Sequence, residues 1–228
     1  MTKAHQNIIQ ALTHVCGRPY VITAKWAQQA HTKGWRYGQG SALAVVKPGS
    51  LIEMWQLLKI CISKEVILIM QAANTGLTGG STPCGDGYDR PIIIINTLRI
   101  NTIQSLDNGQ QVIAFAGSTL FDLENKLKPL GREPHSVIGS TSIGASIIGG
   151  ICNNSGGSLV QRGPAYTEMA LYAAVNKQGE LKLINTLDIN LGDSPEDILN
   201  NLEHQNYNNK DFLVSNKRAS DNGYQAIV

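Results

Sequence analysis

Ala72-Ala73-Asn74-Thr75-Gly76-Leu77-Thr78-Gly79-Gly80-Ser81 carries no charged residue, and almost every member is small or hydroxylic. Such residues let a backbone curl closely around an anion and present its N–H groups, so a phosphate can be held there without Lys or Arg. The segment is not a P-loop, because no Gly-Lys-Ser/Thr follows its glycines. Gly38-x-Gly40 and Gly85-x-Gly87 lack the third glycine and the following helix of a Rossmann fingerprint. A second stretch, Gly139 to Gly157, alternates apolar residues with hydroxyls and glycines along its whole length, unlike a simple turn. Tight turns and close-packed corners produce the same composition. Two such segments favour a long, narrow ligand lying along both.

Groups suited to acid–base work are sparse. Arg132 and His135 stand just before the second glycine segment. Their plainer roles are structural: Arg132 pairing with a carboxylate such as Glu133 or with a backbone carbonyl, and His135 fixing its loop through a hydrogen bond. No catalytic residue is assigned. Trp26, Trp35 and Trp55 read as core or loop packing, while Arg36 and Tyr37 stand within reach of a ligand edge without any spacing that requires it. Cys16, Cys61, Cys84 and Cys152 form no Cys-x-x-Cys pair and have no His at zinc-ligand spacing, so neither a metal site nor a disulfide framework is expected.

The elements that must position the two segments follow from periodicity. Ile8, Ile9, Leu12 and Val15 recur at helical spacing, and His31 to Gly40 reads as a loop. Ala42 to Val46 is a short apolar strand broken by Pro48-Gly49. Ser50-x-x-Glu53 is a capping box for a helix with Leu51, Trp55, Leu58 and Ile62 on one face, and Val66 to Met70 is a second buried strand. Strand, helix and strand at this spacing predict a βαβ unit with parallel strands, which places the first glycine segment at a strand's carboxyl end, where α/β folds hold ligands. Ile92 to Ile95 and Val112 to Phe115 are further strands, and Thr119-x-x-Asp122 caps a helix carrying Leu120, Leu123 and Leu127. Glu168 to Val175 and Leu181 to Ile184 form a hairpin around 176–179, so the second half is more antiparallel than the first. Ser194-Pro195-Glu196-Asp197 opens a last short helix, after which an Asn-, Lys- and Ser-rich stretch reads as a surface loop leading to absent structure.

A chain of 228 residues, 42% hydrophobic and 16% charged, can bury an ordinary core. The net charge of +2, with no basic run interleaved with aromatics, argues against nucleic acid as a partner. Apolar runs as short as Val66 to Met70 cannot span a bilayer, and the N-terminus leads into no long apolar stretch, so the chain reads as soluble and cytoplasmic, without a transmembrane segment.

Three strings carry a family resemblance: Val-Val-x-Pro-Gly-Ser at 45–50, Ala-Ala-Asn-Thr-Gly-Leu-Thr at 72–78, and Ile-Gly-Ala-Ser-Ile-Ile-Gly-Gly-Ile-Cys-Asn-Asn-Ser-Gly-Gly at 143–157. Together they resemble the vanillyl-alcohol-oxidase, or PCMH, type of FAD-binding domain. Gly131 to Ser140 and Gln161 to Met169 are similar to the bacterial, membrane-associated, quinone-dependent D-lactate dehydrogenases, and the likeness runs from about Gly38 to Gly192. The resemblance implies an α+β fold of two lobes, a small parallel βαβ layer and a mainly antiparallel sheet, with the cofactor stretched between them. The implied division is an N-terminal helical segment over 1–37, an FAD domain over 38–209 with lobes of about 38–98 and 99–209, and a polar loop over 210–228.

Matched motif to motif, Ala72, Ala73, Asn74, Thr75, Gly76, Gly80 and Ser81 would wrap the pyrophosphate, and Gly139, Ser146 and Gly156 would line the rest of the FAD. Some relatives tether the flavin through a His or Cys in the first loop. Residues 72–81 contain neither, so noncovalent FAD is expected. The implied reaction takes hydrogen from C2 of D-lactate to give pyruvate and passes electrons to a membrane quinone, in a longer enzyme peripheral to the cytoplasmic side of the inner membrane. This fragment alone is expected to be inactive, its catalytic groups lying outside it. Alternatives are an FAD oxidoreductase for another 2-hydroxy acid and a non-catalytic nucleotide-binding module.

Overall fold

The computed structural model describes residues 2–134, 140–155, 167, 169–187 and 189–208, and the chain divides into two compact units, Met1–Ile100 and Asn101–Val228. The first unit opens with α1, Lys3–Cys16, whose N-terminus is capped by the Thr2 hydroxyl accepting from the His5 N–H. Its buried residues, Ile8, Leu12 and Cys16, repeat at helical spacing. There follow β1, Val21–Ile22; α2, Lys25–Thr32; β2, Ala44–Val46; α3, Leu51–Ser63; β3, Ile67–Gln71; and β4, Ile92–Asn96. Helix α1 packs against α3 and buries its apolar stripe within the first unit.

The four strands form one sheet in the order β1-β2-β4-β3. β4 runs parallel to both neighbours, pairing Ile93 with Ala44 on one side and with Leu68 on the other, while β1 joins antiparallel to β2. Every residue of β4 is buried, which is why it reads as an unbroken isoleucine run rather than an alternation. The expected buried strand at Val66 to Met70 is instead an edge: Ile67, Leu68 and Ile69 are half-buried and Met70 is exposed. Helix α3 begins as its capping box predicts, with the Ser50 hydroxyl accepting from the Glu53 N–H at 3.1 Å and the Glu53 carboxylate accepting from the Gly49 N–H at 2.7 Å.

In the second unit β5, Ile103–Leu106, pairs antiparallel with β6, Gln111–Ala114, followed by α4, Leu120–Leu127, and α5, Ile147–Cys152. Leu120, Leu123 and Leu127 of α4 close on Ile103, Ala114, Ala145 and Ile147 to form the local core. Thr119 caps α4 by accepting from the Asp122 N–H at 3.1 Å. β7, Leu171–Val175, and β8, Leu181–Asn185, form the expected hairpin, and α6, Pro195–Glu203, starts at its Ser194 cap with Leu199 and Leu202 inward. The fold is α+β, with its parallel strands in the first unit and antiparallel pairs in the second. The polar loop expected over 210–228 lies outside the described residues. No helix among the described residues is long and apolar enough to cross a membrane.

Candidate functional site

Residues 72–81 leave β3 at the carboxyl end of a parallel strand, the position at which such sheets present loops to ligands. Their shape is set by buried polar groups. Gln71, the last residue of β3, is 2% exposed, and its Nε2 donates to the backbone oxygens of His31 at 2.9 Å and Ser81 at 2.7 Å. Those two acceptors fix the amide orientation, so Oε1 is the atom that meets the His31 Nδ1 at 2.7 Å, and Nδ1 must carry the proton. Burial lowers the His31 pKa, against its hydrogen bond to Gln71, which raises it, and a weaker repulsion from Lys47 that lowers it. Asn96, at the end of β4, donates to the Ala72 carbonyl at 2.8 Å.

Asn74 sits in the left-handed region with φ 57°, which Asn tolerates better than most residues. Its Nδ2 donates to the backbone oxygens of Ala30 and Lys33, and its Oδ1 accepts from the Ser81 hydroxyl at 2.9 Å. Asn74 and Ser81, expected among the ligand-binding residues, therefore spend their side chains on shaping the loop, and only their N–H groups could serve a ligand. Among the described residues, no backbone hydrogen bond is donated by the N–H groups from Ala73 through Ser81.

The glycines of this loop divide by cause. Gly79 has φ 78°, and a Cβ there would meet the Tyr37 carbonyl oxygen at 3.3 Å, so the fold itself requires glycine. Gly76 and Gly80 have no such need: a Cβ on Gly76 meets only the Ser81 hydroxyl at 3.9 Å, and one on Gly80 meets nothing within 4 Å. Open space at glycines with ordinary backbone, beside a row of N–H donors, is what close approach of an anion demands, and an FAD pyrophosphate fits it.

In the second unit Ser146 is buried, and its hydroxyl accepts from the Gly149 N–H at 3.1 Å as the N-cap of α5. The cap uses one lone pair of the Ser146 hydroxyl, and its O–H remains a donor that could meet a cofactor oxygen. Six residues of the glycine-rich stretch, Ile147–Cys152, are helical, an element that its composition concealed. A Cβ on Gly149 would stand 2.8 Å from the Ser146 hydroxyl, whereas Gly150 faces open space. Gly139, Gly156 and His135 lie outside the described residues.

Arg132 takes the plainer of its two expected roles, donating from Nε to the Asn108 carbonyl at 2.9 Å. Of the tryptophans expected to pack, only Trp55 is buried; Trp26 and Trp35 are 79% and 63% exposed. Cys16 and Cys61 are buried and their thiols pushed up to about 12 by burial, while Cys84 and Cys152 are exposed. Among the described residues no cluster of His, Cys, Asp and Glu could hold a metal ion. Gln71, His31 and Asn96 went unrecognised in the sequence, for they lie outside the glycine segment and meet it only through folding.

Residues 42–184 match the FAD binding domain family. The chain is 58% identical over 219 residues to a quinone-dependent D-lactate dehydrogenase of Haemophilus influenzae, covering 96% of this chain and 39% of that protein. It is 52% identical over 223 residues to the quinone-dependent D-lactate dehydrogenase of Escherichia coli, covering 98% and 39%. The chain thus spans about two-fifths of these relatives, 39% of each. Among solved structures, an alkyldihydroxyacetonephosphate synthase superposes with a TM-score of 0.65 at 17% identity, over 85% of this chain and 37% of that one. A p-cresol methylhydroxylase superposes with a TM-score of 0.58 at 14% identity, over 80% and 36%. At those identities the likeness is one of fold.

Proposed function

The chain belongs to the FAD binding domain family, and from that premise we propose that it is the cofactor-holding part of a longer flavoprotein that oxidises D-lactate to pyruvate and delivers the electrons to a respiratory quinone. The observation that carries this reading is the 58% identity over 96% of the chain to a quinone-dependent D-lactate dehydrogenase. FAD, when bound, supplies the two-electron acceptor for the hydrogen leaving C2 of lactate. This chain's own part is to bind and orient.

In this reading the backbone N–H groups of Ala72, Ala73, Asn74, Thr75, Gly76, Gly80 and Ser81 hold the pyrophosphate, with charge-assisted hydrogen bonds in place of Lys or Arg. Ser146, with Gly139 and Gly156, lines the remainder of the cofactor. No His or Cys stands in 72–81 to form a tether, so the cofactor is held noncovalently. The groups that bind the lactate carboxylate and take its hydroxyl proton are assigned to the longer protein. Its place is peripheral, at the cytoplasmic face of the inner membrane, where a lipid-soluble quinone is reached.

Gel filtration after incubation with FAD, followed by a visible spectrum before and after heat release, tests the cofactor assignment. Flavin should co-elute with the chain and be released intact; a colourless chain overturns the reading. Reduction of a soluble quinone by the full-length protein, dependent on D-lactate and absent with L-lactate, tests the activity.

A further inference from the structure

The side chain of Gln71 uses all its hydrogen-bonding capacity within the protein. Its two N–H bonds go to His31 and Ser81, and its oxygen accepts from the His31 Nδ1 at 2.7 Å and the Asn96 Nδ2 at 3.4 Å. Its backbone is equally committed, since the Gln71 carbonyl accepts from the Thr97 N–H at 2.8 Å. One buried amide therefore joins the sheet, the last turn of α2 and the far end of the loop, closing 72–81 into a ring between Gln71 and Ser81. Asn74 ties the middle of the same ring to Ala30 and Lys33, beside the His31 attachment.

Resting on the FAD reading of this loop, we propose that Gln71 and His31 are positioning residues that set cofactor affinity without touching the cofactor, by preforming the loop whose N–H groups bind it. A loop that spends only part of its time in the competent shape binds proportionally more weakly, and an amide replaced by an apolar side chain leaves two carbonyls and an imidazole N–H without their partner. The requirement at position 31 is for a donor at Nδ1, not for a base. An asparagine there keeps a donor near the same place; a leucine does not.

The test titrates FAD into the 228-residue chain carrying Gln71→Met, His31→Leu or His31→Asn, with the thermal midpoint of each variant measured without FAD. Ile8→Ala, in the buried stripe of α1 away from the loop, serves as a control for destabilisation alone. Gln71→Met and His31→Leu should weaken binding about tenfold or more. His31→Asn should stay within about threefold of wild type, a difference no larger than one modest hydrogen bond. Ile8→Ala should lower the midpoint and leave affinity unchanged. Unchanged affinity in Gln71→Met and His31→Leu overturns the proposal while the FAD reading stands, as does His31→Asn failing like His31→Leu. If Gln71→Met does not fold, the two His31 variants decide. A wild-type chain that retains no FAD removes both the reading and the proposal.

Discussion

Substituting Gly76 should separate ligand binding from folding. A Cβ at Gly76 lies 3.9 Å from its nearest neighbour, the Ser81 hydroxyl, which is ordinary contact, and its backbone is outside the positive-φ set. Gly76→Ala should therefore leave the empty chain as stable as wild type, or more stable by the ~0.4–1 kcal/mol gained from restricting the unfolded chain. Gly76→Val places a branched side chain where the phosphate must approach. Displacing the anion past about 3.2 Å from two N–H donors breaks two charge-assisted bonds. At ~1.5 kcal/mol each, the low end of the range, FAD affinity falls about a hundredfold.

The contrast is Gly79→Ala. It forces a side chain into φ 78° and against the Tyr37 carbonyl at 3.3 Å. Left-handed backbone costs ~1–2 kcal/mol for a residue with a Cβ, so the thermal midpoint should fall at roughly 2–4 °C per kcal/mol. Calorimetric melts without FAD and fluorescence titrations with it measure the two quantities separately. Gly76→Val binding FAD within threefold of wild type, or melting as early as Gly79→Ala, would refute the division of these glycines into ligand-driven and fold-driven. Gly149→Val cannot serve as the companion probe, because its side chain would meet the Ser146 hydroxyl and break the cap first.

The depressed pKa of His31, caused first by burial, means the unfolded chain binds its proton more readily than the folded one. Its contribution to stability is present above the unfolded value of ~6.5 and is lost as pH falls through the lower folded value; urea melts from pH 8 to pH 5 should show the loss, and His31→Asn should reduce it. Ser146→Ala should cost about 1 kcal/mol by removing the α5 cap, read as a lower midpoint in the same urea series. At pH 8, Cys84 and Cys152 should react rapidly with an aromatic disulfide, while Cys16 and Cys61, buried and near pKa 12, should react only on unfolding; four fast thiols would contradict their burial.

Legibility in the sequence followed how local each cause is. The caps at Ser50, Thr119 and Ser194 bind groups three residues away, and all three helices start where expected. Helix α2 is not legible because its buried residues are polar: Gln28 reaches the Ile22 carbonyl and Thr32 the Gln28 carbonyl, so no apolar period marks it. The composition of β3 matches that of the buried β4, whereas its edge position depends on β4 inserting beside β2. The glycine segment stands out through composition alone. The residues that shape it did not, since His31 and Gln71 are 40 positions apart and meet only across the folded unit.

The β7–β8 ribbon has a full antiparallel ladder but no fully buried residue in either strand, and Tyr172 and Val175 are about half exposed. Its amides are therefore protected mainly by strand pairing, with only half-buried side chains among the described residues of the two strands. Such a ribbon opens at a free energy below that of the unit it belongs to, so its hydrogens exchange with solvent through local opening while those of β4 wait for global unfolding. Among the described residues the turn at 176–179 is for the same reason an expected site of early proteolysis.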